Sequence, residues 1–243
     1  MRDSRVLVFT ATFNEADNIE EWLSRVVASM PRADVLVIDD SSPDGTGGLI
    51  AEFARDHPQV RLIERSGKSG LGSAHKAAFE YALTEGYDVL VTMDADLSHD
   101  PEQAISLVEA LDPADFVIGT RWGRGTCEYT GFRKAVSWLG NWSARVLLRA
   151  PVSEYTTSYR AFRPRALAEL TRRPPEDDGY AFFMEVVIDL HRAGVAMAEV
   201  PITFRDRAGG ESKIPKSQIA VSSLRLVQKA LSRGTRVTVA DHD

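Results

Sequence analysis

The strongest constraint on the fold is an alternation of short apolar runs with helical patterns in the first half of the chain. The apolar runs are rich in Val, Ile and Leu and bounded by turn residues, which is typical of buried strands. They are RVLVFT, DVLVID, VRLIE, DVLVTMD and DFVIGT. The helical patterns between them lie at about residues 16–29, 46–55, 73–84 and 101–111. This alternation predicts an α/β fold with a mostly parallel central sheet covered by helices on both faces.

The second half of the chain is less regular. Helices are predicted at about residues 133–148, 181–192 and 218–232, and a strand at MAEVPITF. The stretch EYTTSYRAF shows neither a helical nor a strand period, so we expect it to be irregular. No repeat or low-complexity linker divides the chain, and we therefore expect one domain over residues 1–243.

Composition and charge exclude several classes of protein. A net charge of −6 argues against a nucleic-acid partner, because nucleic-acid binders normally carry a basic stripe. The single cysteine, Cys127, excludes an internal disulfide and a thiolate metal cage. The apolar run near the N-terminus is too short for a signal peptide, and no stretch approaches the roughly 20 apolar residues of a membrane span. We expect a cytoplasmic protein without a transmembrane segment.

Acidic and amide side chains follow three of the predicted strands. These residues are Asn14 and Glu15 after the first strand, Asp39, Asp40 and Asp44 after the second, and Asp94, Asp96 and Asp100 after a later one. Ligands of parallel sheets bind where the carboxyl ends of the strands open into loops, so we expect these groups at one site. Clustered carboxylates stay ionised when a cation or strong donors compensate them. Mg²⁺ or Mn²⁺ suits aspartate oxygens together with a diphosphate.

The spacing of Asp94 and Asp96 is the most informative detail of this cluster. Residues two apart on an extended strand face the same way, so both carboxylates can address one ion or one ligand. A ribose hydroxyl is an alternative partner for either carboxylate. A solvated turn in which Asp96 caps a local amide is the alternative without a ligand. The preceding apolar strand and the other acidic loops favour a binding site.

Other candidate groups are less specific. The stretch SGKSGLGSAHKA lacks the glycine spacing of a P-loop and of a dinucleotide site, and we interpret it as a turn that begins a helix. Arg207 and Lys213 flank a glycine pair, as expected of a loop that closes on a phosphate. His75, His99 and His191 have no metal-ligand spacing, so each is expected to be structural.

In chain order, a set of motifs resembles the dolichol-phosphate (polyprenol-phosphate) mannose synthases. The motifs are TFNEADNI, VIDDSSPDGT, GLGSAHKAAF, DADLSHDP, GTRW, YTTSYRAF, GYAFFMEV, EVPITF and DRAGGESK, and they cover about residues 6–213. These enzymes are inverting family 2 glycosyltransferases of the nucleotide-diphospho-sugar transferase (GT-A, Rossmann-like) fold. The resemblance implies a nucleotide-sugar-binding half at about 5–120, an acceptor half at about 121–215, a C-terminal amphipathic helix at about 216–233 and a tail at 234–243.

The resemblance also implies roles for individual residues. The implied nucleotide-sugar pocket consists of Thr12, Phe13, Glu15, Asp40, Lys68, Asp94, Ala95, Asp96, Arg207 and Lys213. Asp94, Asp96 and Ser98 are the implied shell of a Mg²⁺ or Mn²⁺ ion. Arg121, Arg133 and Ser137 are implied to hold the acceptor phosphate. The implied catalytic residues are Asp96, Arg121 and Arg133.

The chain departs from the family pattern mainly on the acceptor and sugar side. The usual T-S-G-F-R reads TTSYR here, at residues 156–160, and Glu154 replaces the usual aspartate. His75 stands where tyrosine is common, and Ser98 where many members have glutamine. These changes concern the identity of the sugar and the lipid more than the type of reaction.

The function that the resemblance implies is metal-dependent transfer of a hexose onto a polyprenyl or dolichyl monophosphate. Mannose from GDP-mannose is the favoured donor. A polyprenyl-phosphate glucosyltransferase, or a nucleotide-sugar transferase with another acceptor, is the alternative, and a catalytically silent nucleotide-sugar-binding scaffold is a remoter one. A lipid substrate also implies peripheral contact with the cytoplasmic face of a membrane. The basic helix at about 216–233 suits such a contact, although core packing explains the same pattern.

Overall fold

The computed structural model describes residues 4–128, 141, 145, 150–179 and 181–205. Its strands are β1 (Val6–Thr12), β2 (Asp34–Asp39), β3 (Val60–Glu64), β4 (Val89–Thr92), β5 (Phe116–Thr120), β6 (Thr126–Cys127), β7 (Arg160–Phe162), β8 (Met197–Pro201) and β9 (Thr203–Phe204). Its α-helices are α1 (Ile19–Ser29), α2 (Thr46–Asp56), α3 (Leu71–Thr84), α4 (Ala104–Glu109), α5 (Pro164–Arg172) and α6 (Phe182–Arg192), and a 3₁₀ turn at Pro101–Gln103 precedes α4.

The central sheet has the strand order β3-β2-β1-β4-β7-β5-β8. All neighbouring pairs are parallel except those of β7, which runs antiparallel to both β4 and β5. A separate two-stranded parallel sheet joins β6 to β9. The strand order reverses between β1 and β4, and in such sheets a crevice for ligands opens at the carboxyl ends of the strands that flank the reversal. The predicted α/β class and the mostly parallel sheet are confirmed.

Alternating side chains of the strands pack into two hydrophobic cores, one on each face of the sheet. In β1, Leu7 and Phe9 join a core with residues of α3, α5 and α6. Val8, between them in sequence, joins the opposite core with residues of α1, α2 and α4. Strands that are buried on both faces need continuous apolar runs, which is why the sequence runs were recognisable.

Two elements of the second half correct the sequence predictions. The stretch EYTTSYRAF is not wholly irregular, because its last three residues form β7 in the middle of the sheet. A three-residue strand is too short to show a period. Helix α5 was not predicted, although Pro164 stands at its first turn, where proline is favoured. MAEVPITF forms two strands rather than one, since Ile202 separates β8 from β9.

Two predicted helices lie largely or wholly outside the described residues. In the predicted helix at 133–148, Asn141 and Arg145 are described, and both are helical. The predicted helix at 218–232 and the tail lie entirely outside. Among the helices of the described ranges, none has both the length and the apolar character required to cross a bilayer.

Candidate active site

The candidate site lies where β1, β2 and β4 end. Three residues other than glycine have a positive φ in the described chain: Asn14 (58°), Ser41 (55°) and Leu97 (59°). Each follows one of these three strands by two to five residues. Left-handed backbone is costly for residues with a side chain and concentrates at ligand-binding turns. The backbone therefore points to the same edge of the sheet as the acidic loops.

The two aspartates at the end of β2 have different partners. Asp39 is buried and accepts hydrogen bonds from the Thr12 hydroxyl (2.7 Å), the Ser42 hydroxyl (2.6 Å) and the Ser42 amide (2.8 Å), so it joins the β1 and β2 loops. Asp40 forms an ion pair with Arg65 and accepts a bond from the Ser69 amide (3.3 Å). Asp39 is thus a structural acid, whereas Asp40 faces the loop that precedes α3.

Arg65 has a second set of partners in the turn that begins α3. Its guanidinium donates to the Ser73 hydroxyl (2.8 Å) and to the Gly70 carbonyl (3.3 Å). Arg65 therefore ties the predicted nucleoside pocket at Asp40 to the glycine-rich turn. Sequence reasoning did not single out Arg65, because its partners are separated from it by as many as 25 residues and no local pattern marks the pairing.

Phe13 and Lys68, both predicted pocket residues, are brought together. The Lys68 ammonium lies 4.4 Å from the centre of the Phe13 ring, within cation–π distance. Glu15, the third predicted residue here, donates its amide to the Thr46 hydroxyl (3.0 Å), and its carboxylate accepts from the Asn18 side chain (3.1 Å). The loop after β1 is thus held to the start of α2.

The loop after β4 places the two predicted metal carboxylates in different environments. Asp96 is 5% exposed and accepts hydrogen bonds from the amide (3.1 Å) and hydroxyl (2.6 Å) of Ser98. The side chain of Asp94 is 36% exposed. Ala95, between them, is buried. Ser98, predicted as a further metal ligand, is fully buried and donates its hydroxyl to Asp96.

The fit of these residues to a divalent ion rests on the chemistry of the donors. Within the described ranges, no group of three or more His, Cys, Asp or Glu side chains is placed to hold a metal. Mg²⁺ usually keeps several non-protein ligands, with one or two carboxylates from the protein and the remainder from phosphate oxygens and water. A partly exposed Asp94 beside a buried Asp96 suits that division. The residues therefore fit an ion that arrives with a diphosphate.

The His99 ring forms hydrogen bonds that hold the loop after β4 in place. The Asp94 amide donates to His99 Nδ1 (3.3 Å), which makes Nδ1 the acceptor of the ring. The proton of the neutral ring then lies on Nε2, which is 2.9 Å from the Thr157 hydroxyl. Burial lowers the pKa of His99, against the opposing charges of Asp94 and Asp96, and keeps the ring neutral. The expectation that His99 is structural agrees with this geometry, and its hydrogen bonds place it beside the predicted metal carboxylates.

Arg121 is paired with Glu154 in a buried ion pair. Its Nε and Nη2 each lie 2.9 Å from one carboxylate oxygen of Glu154, and Nη2 also donates to the Thr156 hydroxyl (2.6 Å). Burial alone would raise the pKa of Glu154, but the charge and hydrogen bonds of Arg121 hold it below its ordinary value. The pair fixes Arg121 at the end of β5. Its predicted role in binding the acceptor phosphate stays a prediction.

An open cleft on the protein surface lies beside Arg121. It has a volume of about 580 Å³ and is lined by Trp122, Gly123, Gly125 and Cys127, among others.

Four residues with predicted roles, Arg133, Ser137, Arg207 and Lys213, lie outside the described residues. Their roles in binding acceptor phosphate and donor stay predictions.

The segment before β7, residues 156–158, forms hydrogen bonds with Arg121, His99 and Asp94. Three consecutive hydroxyls each reach a different partner: Thr156 contacts Arg121, Thr157 contacts His99, and Ser158 donates to Asp94. Arg160 lies beneath and donates to the carbonyls of Thr157 (2.7 Å) and Tyr155 (2.9 Å). Sequence reasoning treated this stretch as a departure from a family motif, and no signal in the sequence indicated its contacts.

Comparison with known proteins decides the family. The profile described as "Glycosyl transferase family 2" matches residues 7–171, more than half of the chain. The chain belongs to glycosyltransferase family 2. The predicted resemblance and the assignment as a glycosyltransferase are thereby confirmed.

Two relatives are similar to this glycosyltransferase over most of their length. An undecaprenyl-phosphate mannosyltransferase of Micrococcus luteus is 42% identical over 212 residues, which is 86% of this chain and 87% of the relative. A polyprenol monophosphomannose synthase of Mycolicibacterium smegmatis is 38% identical over 228 residues, 92% of this chain and 86% of the relative.

A solved structure agrees on the fold. A mannosyltransferase from Pyrobaculum calidifontis, in complex with GDP-mannose and Mn²⁺, superposes with a TM-score of 0.61 at 18% identity, covering 96% of this chain and 76% of that one. Identity at that level concerns the fold alone, which is the GT-A fold predicted for this glycosyltransferase.

Proposed function

We propose that this glycosyltransferase moves mannose from GDP-mannose onto a polyprenyl monophosphate, in a reaction that requires Mg²⁺ or Mn²⁺. The observation that carries the proposal is the likeness, over nearly the whole chain, to the two relatives named as polyprenyl-phosphate mannosyltransferases. The site supports it, since carboxylates, a cation–π pair and a buried arginine meet at one edge of the sheet.

The donor half of the proposed site is formed by the loops after β1, β2 and β4. Asp40, with Phe13 and Lys68 close by, would hold the nucleoside, and Asp94 and Asp96 would hold the ion next to the diphosphate. When bound, the ion would neutralise the charge that develops on the departing nucleoside diphosphate. The GDP-mannose and Mn²⁺ of the structural neighbour support this choice of donor and ion.

The acceptor half needs little acid–base chemistry. The second pKa of a phosphate monoester is about 6, so its oxygen is already anionic at neutral pH and requires no strong general base. The protein must mainly position this oxygen for attack on the anomeric carbon and balance its charge. Arg121, which Glu154 holds in place at the end of β5, would serve that purpose together with Arg133. Inversion follows from a single direct displacement.

The donor can be tested by thermal stabilisation of the purified protein. GDP, UDP, GDP-mannose and UDP-glucose are each added with and without Mn²⁺. A bound ligand raises the melting temperature according to its concentration relative to its dissociation constant. The proposal predicts a Mn²⁺-dependent rise with the guanosine ligands and little or none with the uridine ligands. A rise confined to UDP and UDP-glucose would contradict the proposed donor.

A further inference from the structure

The hydroxyl of Ser158 touches one of the two proposed metal carboxylates. Ser158 Oγ donates to Asp94 Oδ1 at 2.6 Å, and Ser158 is 2% exposed. Among the described residues, Ser158 is the donor from which the Asp94 carboxylate accepts a hydrogen bond. Hydrogen bonds from a hydroxyl to an ionised carboxylate are short and about twice as strong as neutral ones.

The backbone around Ser158 leaves its hydroxyl little freedom. Its carbonyl accepts a bond from the Thr92 hydroxyl at 2.5 Å, and two residues later Arg160 pairs with Thr92 across β7 and β4. The Arg160 guanidinium also holds the carbonyl of Thr157. Ser158 is therefore fixed to the same strand, β4, from which the loop of Asp94 departs, and the distance between the two side chains is set by the sheet.

Burial of Asp94 does not explain why its carboxylate accepts this hydrogen bond. A fully buried carboxylate requires donors from the protein, but the Asp94 side chain is 36% exposed and water can solvate it. The bond has another consequence. It holds Oδ1 towards Ser158, while Oδ2 lies 3.8 Å from Nδ1 of His99, so one oxygen of the carboxylate has a fixed direction before any ligand arrives.

We propose that Ser158 is a positioning residue, whose hydroxyl orients the Asp94 carboxylate for the divalent ion that binds with the nucleoside diphosphate. This inference rests on the proposed function, which gives Asp94 its metal. Partners that orient a metal ligand typically contribute about tenfold to hundredfold to metal affinity. Removal of the Ser158 hydroxyl should therefore weaken Mn²⁺ binding without unfolding the protein.

The test measures Mn²⁺ binding directly, by the loss of the free-ion electron paramagnetic resonance signal in the presence of saturating GDP. Ser158→Ala removes the hydroxyl, and we expect its dissociation constant for Mn²⁺ to rise about tenfold or more. Ser158→Cys fills the same space with a weak donor and should change it in the same direction. It replaces Ser158→Ala if that variant does not fold, which thermal unfolding of each variant establishes.

Tyr159→Phe is the matched control. The Tyr159 hydroxyl donates to the Asp100 carbonyl (2.8 Å), a contact of the same segment that does not involve Asp94. That carbonyl keeps the Gln103 amide (3.0 Å), so the control leaves no buried group without a partner. Its Mn²⁺ affinity should match that of the wild type.

The outcomes separate the two proposals. Wild-type protein that binds Mn²⁺ with GDP, alongside a Ser158→Ala protein that binds it equally well, would overturn the role of Ser158 and leave the proposed function standing. Equal weakening in Ser158→Ala and Tyr159→Phe would also overturn it, because the effect would then belong to the segment as a whole. Wild-type protein that binds no Mn²⁺ with GDP would overturn both.

Discussion

Replacing His75 should make the stability of the protein less sensitive to mild acid. His75 is 3% exposed, its Nδ1 lies 2.9 Å from the Leu71 carbonyl, and its ring contacts Phe9 and Phe183 at centroid distances of 5.0 and 5.1 Å. Burial lowers the pKa of His75 from its ordinary 6.5 to about 4, with a smaller contribution from the charge of Arg160. The imidazole is therefore neutral in the folded protein at pH 5, whereas in the unfolded chain it is charged.

The sign and size of the effect follow from the proton balance. Because the folded pKa is below the unfolded one, the unfolded state binds more protons between about pH 4 and pH 6.5, and stability falls as the pH decreases through that range. A tenfold difference in proton affinity corresponds to about 1.4 kcal/mol, so His75 alone removes about 3 kcal/mol over the whole range. Between pH 7 and pH 5 its share is about 2 kcal/mol, or roughly 4–8 °C in melting temperature for a chain of this size.

The assay is urea unfolding of the wild type and His75→Leu at pH 7, 6 and 5. Leucine is apolar and close to histidine in volume, so His75→Leu removes the titration with little change in packing. We expect the stability of His75→Leu to decline by about 2 kcal/mol less than that of the wild type between pH 7 and pH 5. His191→Gln, which removes an exposed imidazole at the end of α6, is the control variant for a histidine replacement. Parallel profiles for the wild type and His75→Leu would refute the reasoning.

Two further predictions concern stability. Glu154→Gln leaves the buried charge of Arg121 without its partner and should cost about 3 kcal/mol of unfolding free energy. The control Glu169→Gln breaks a more exposed ion pair with Arg172 and should cost less than about 1 kcal/mol. Equal losses in urea unfolding would contradict the assignment of a buried pair. Gly72→Ala should cost about 1–3 kcal/mol, because its Cβ would lie 2.8 Å from the Asp177 carbonyl and the Asp178 backbone. Gly48→Ala, with open space around it in α2, should instead gain about 1 kcal/mol, and thermal unfolding of both variants checks the contrast.

The parts of the fold that the sequence predicts are those with a repeating signal. Strands β1, β2 and β4 are buried on both faces and read as apolar runs, and the acidic residues that follow them indicate the edge at which we propose that a ligand binds. The predicted start of α1 was too early, because residues 16–18 form a turn before Ile19. Strand β7 has three residues and no readable period, and its place in the sheet depends on pairing with strands distant in sequence.

Side-chain partners in the site were the least predictable feature. Arg121 and Glu154 are 33 residues apart, and Ser158 and Asp94 are 64 apart, so neither pair leaves a mark on the local sequence. Glu154 stands where the family motif has aspartate, and Ser158 lies within the altered TTSYR segment. Sequence comparison marked the departures, but the contacts of these side chains required the fold.

Turnover tests the proposed function most directly. The purified protein is incubated with undecaprenyl phosphate and Mn²⁺, with either GDP-mannose or UDP-glucose as donor, and the lipid products are identified by mass spectrometry. We expect mannosyl-phosphoryl-undecaprenol from GDP-mannose, and no product from an Asp96→Ala protein that melts cooperatively. Transfer from UDP-glucose alone, or near-normal activity in Asp96→Ala, would contradict the account.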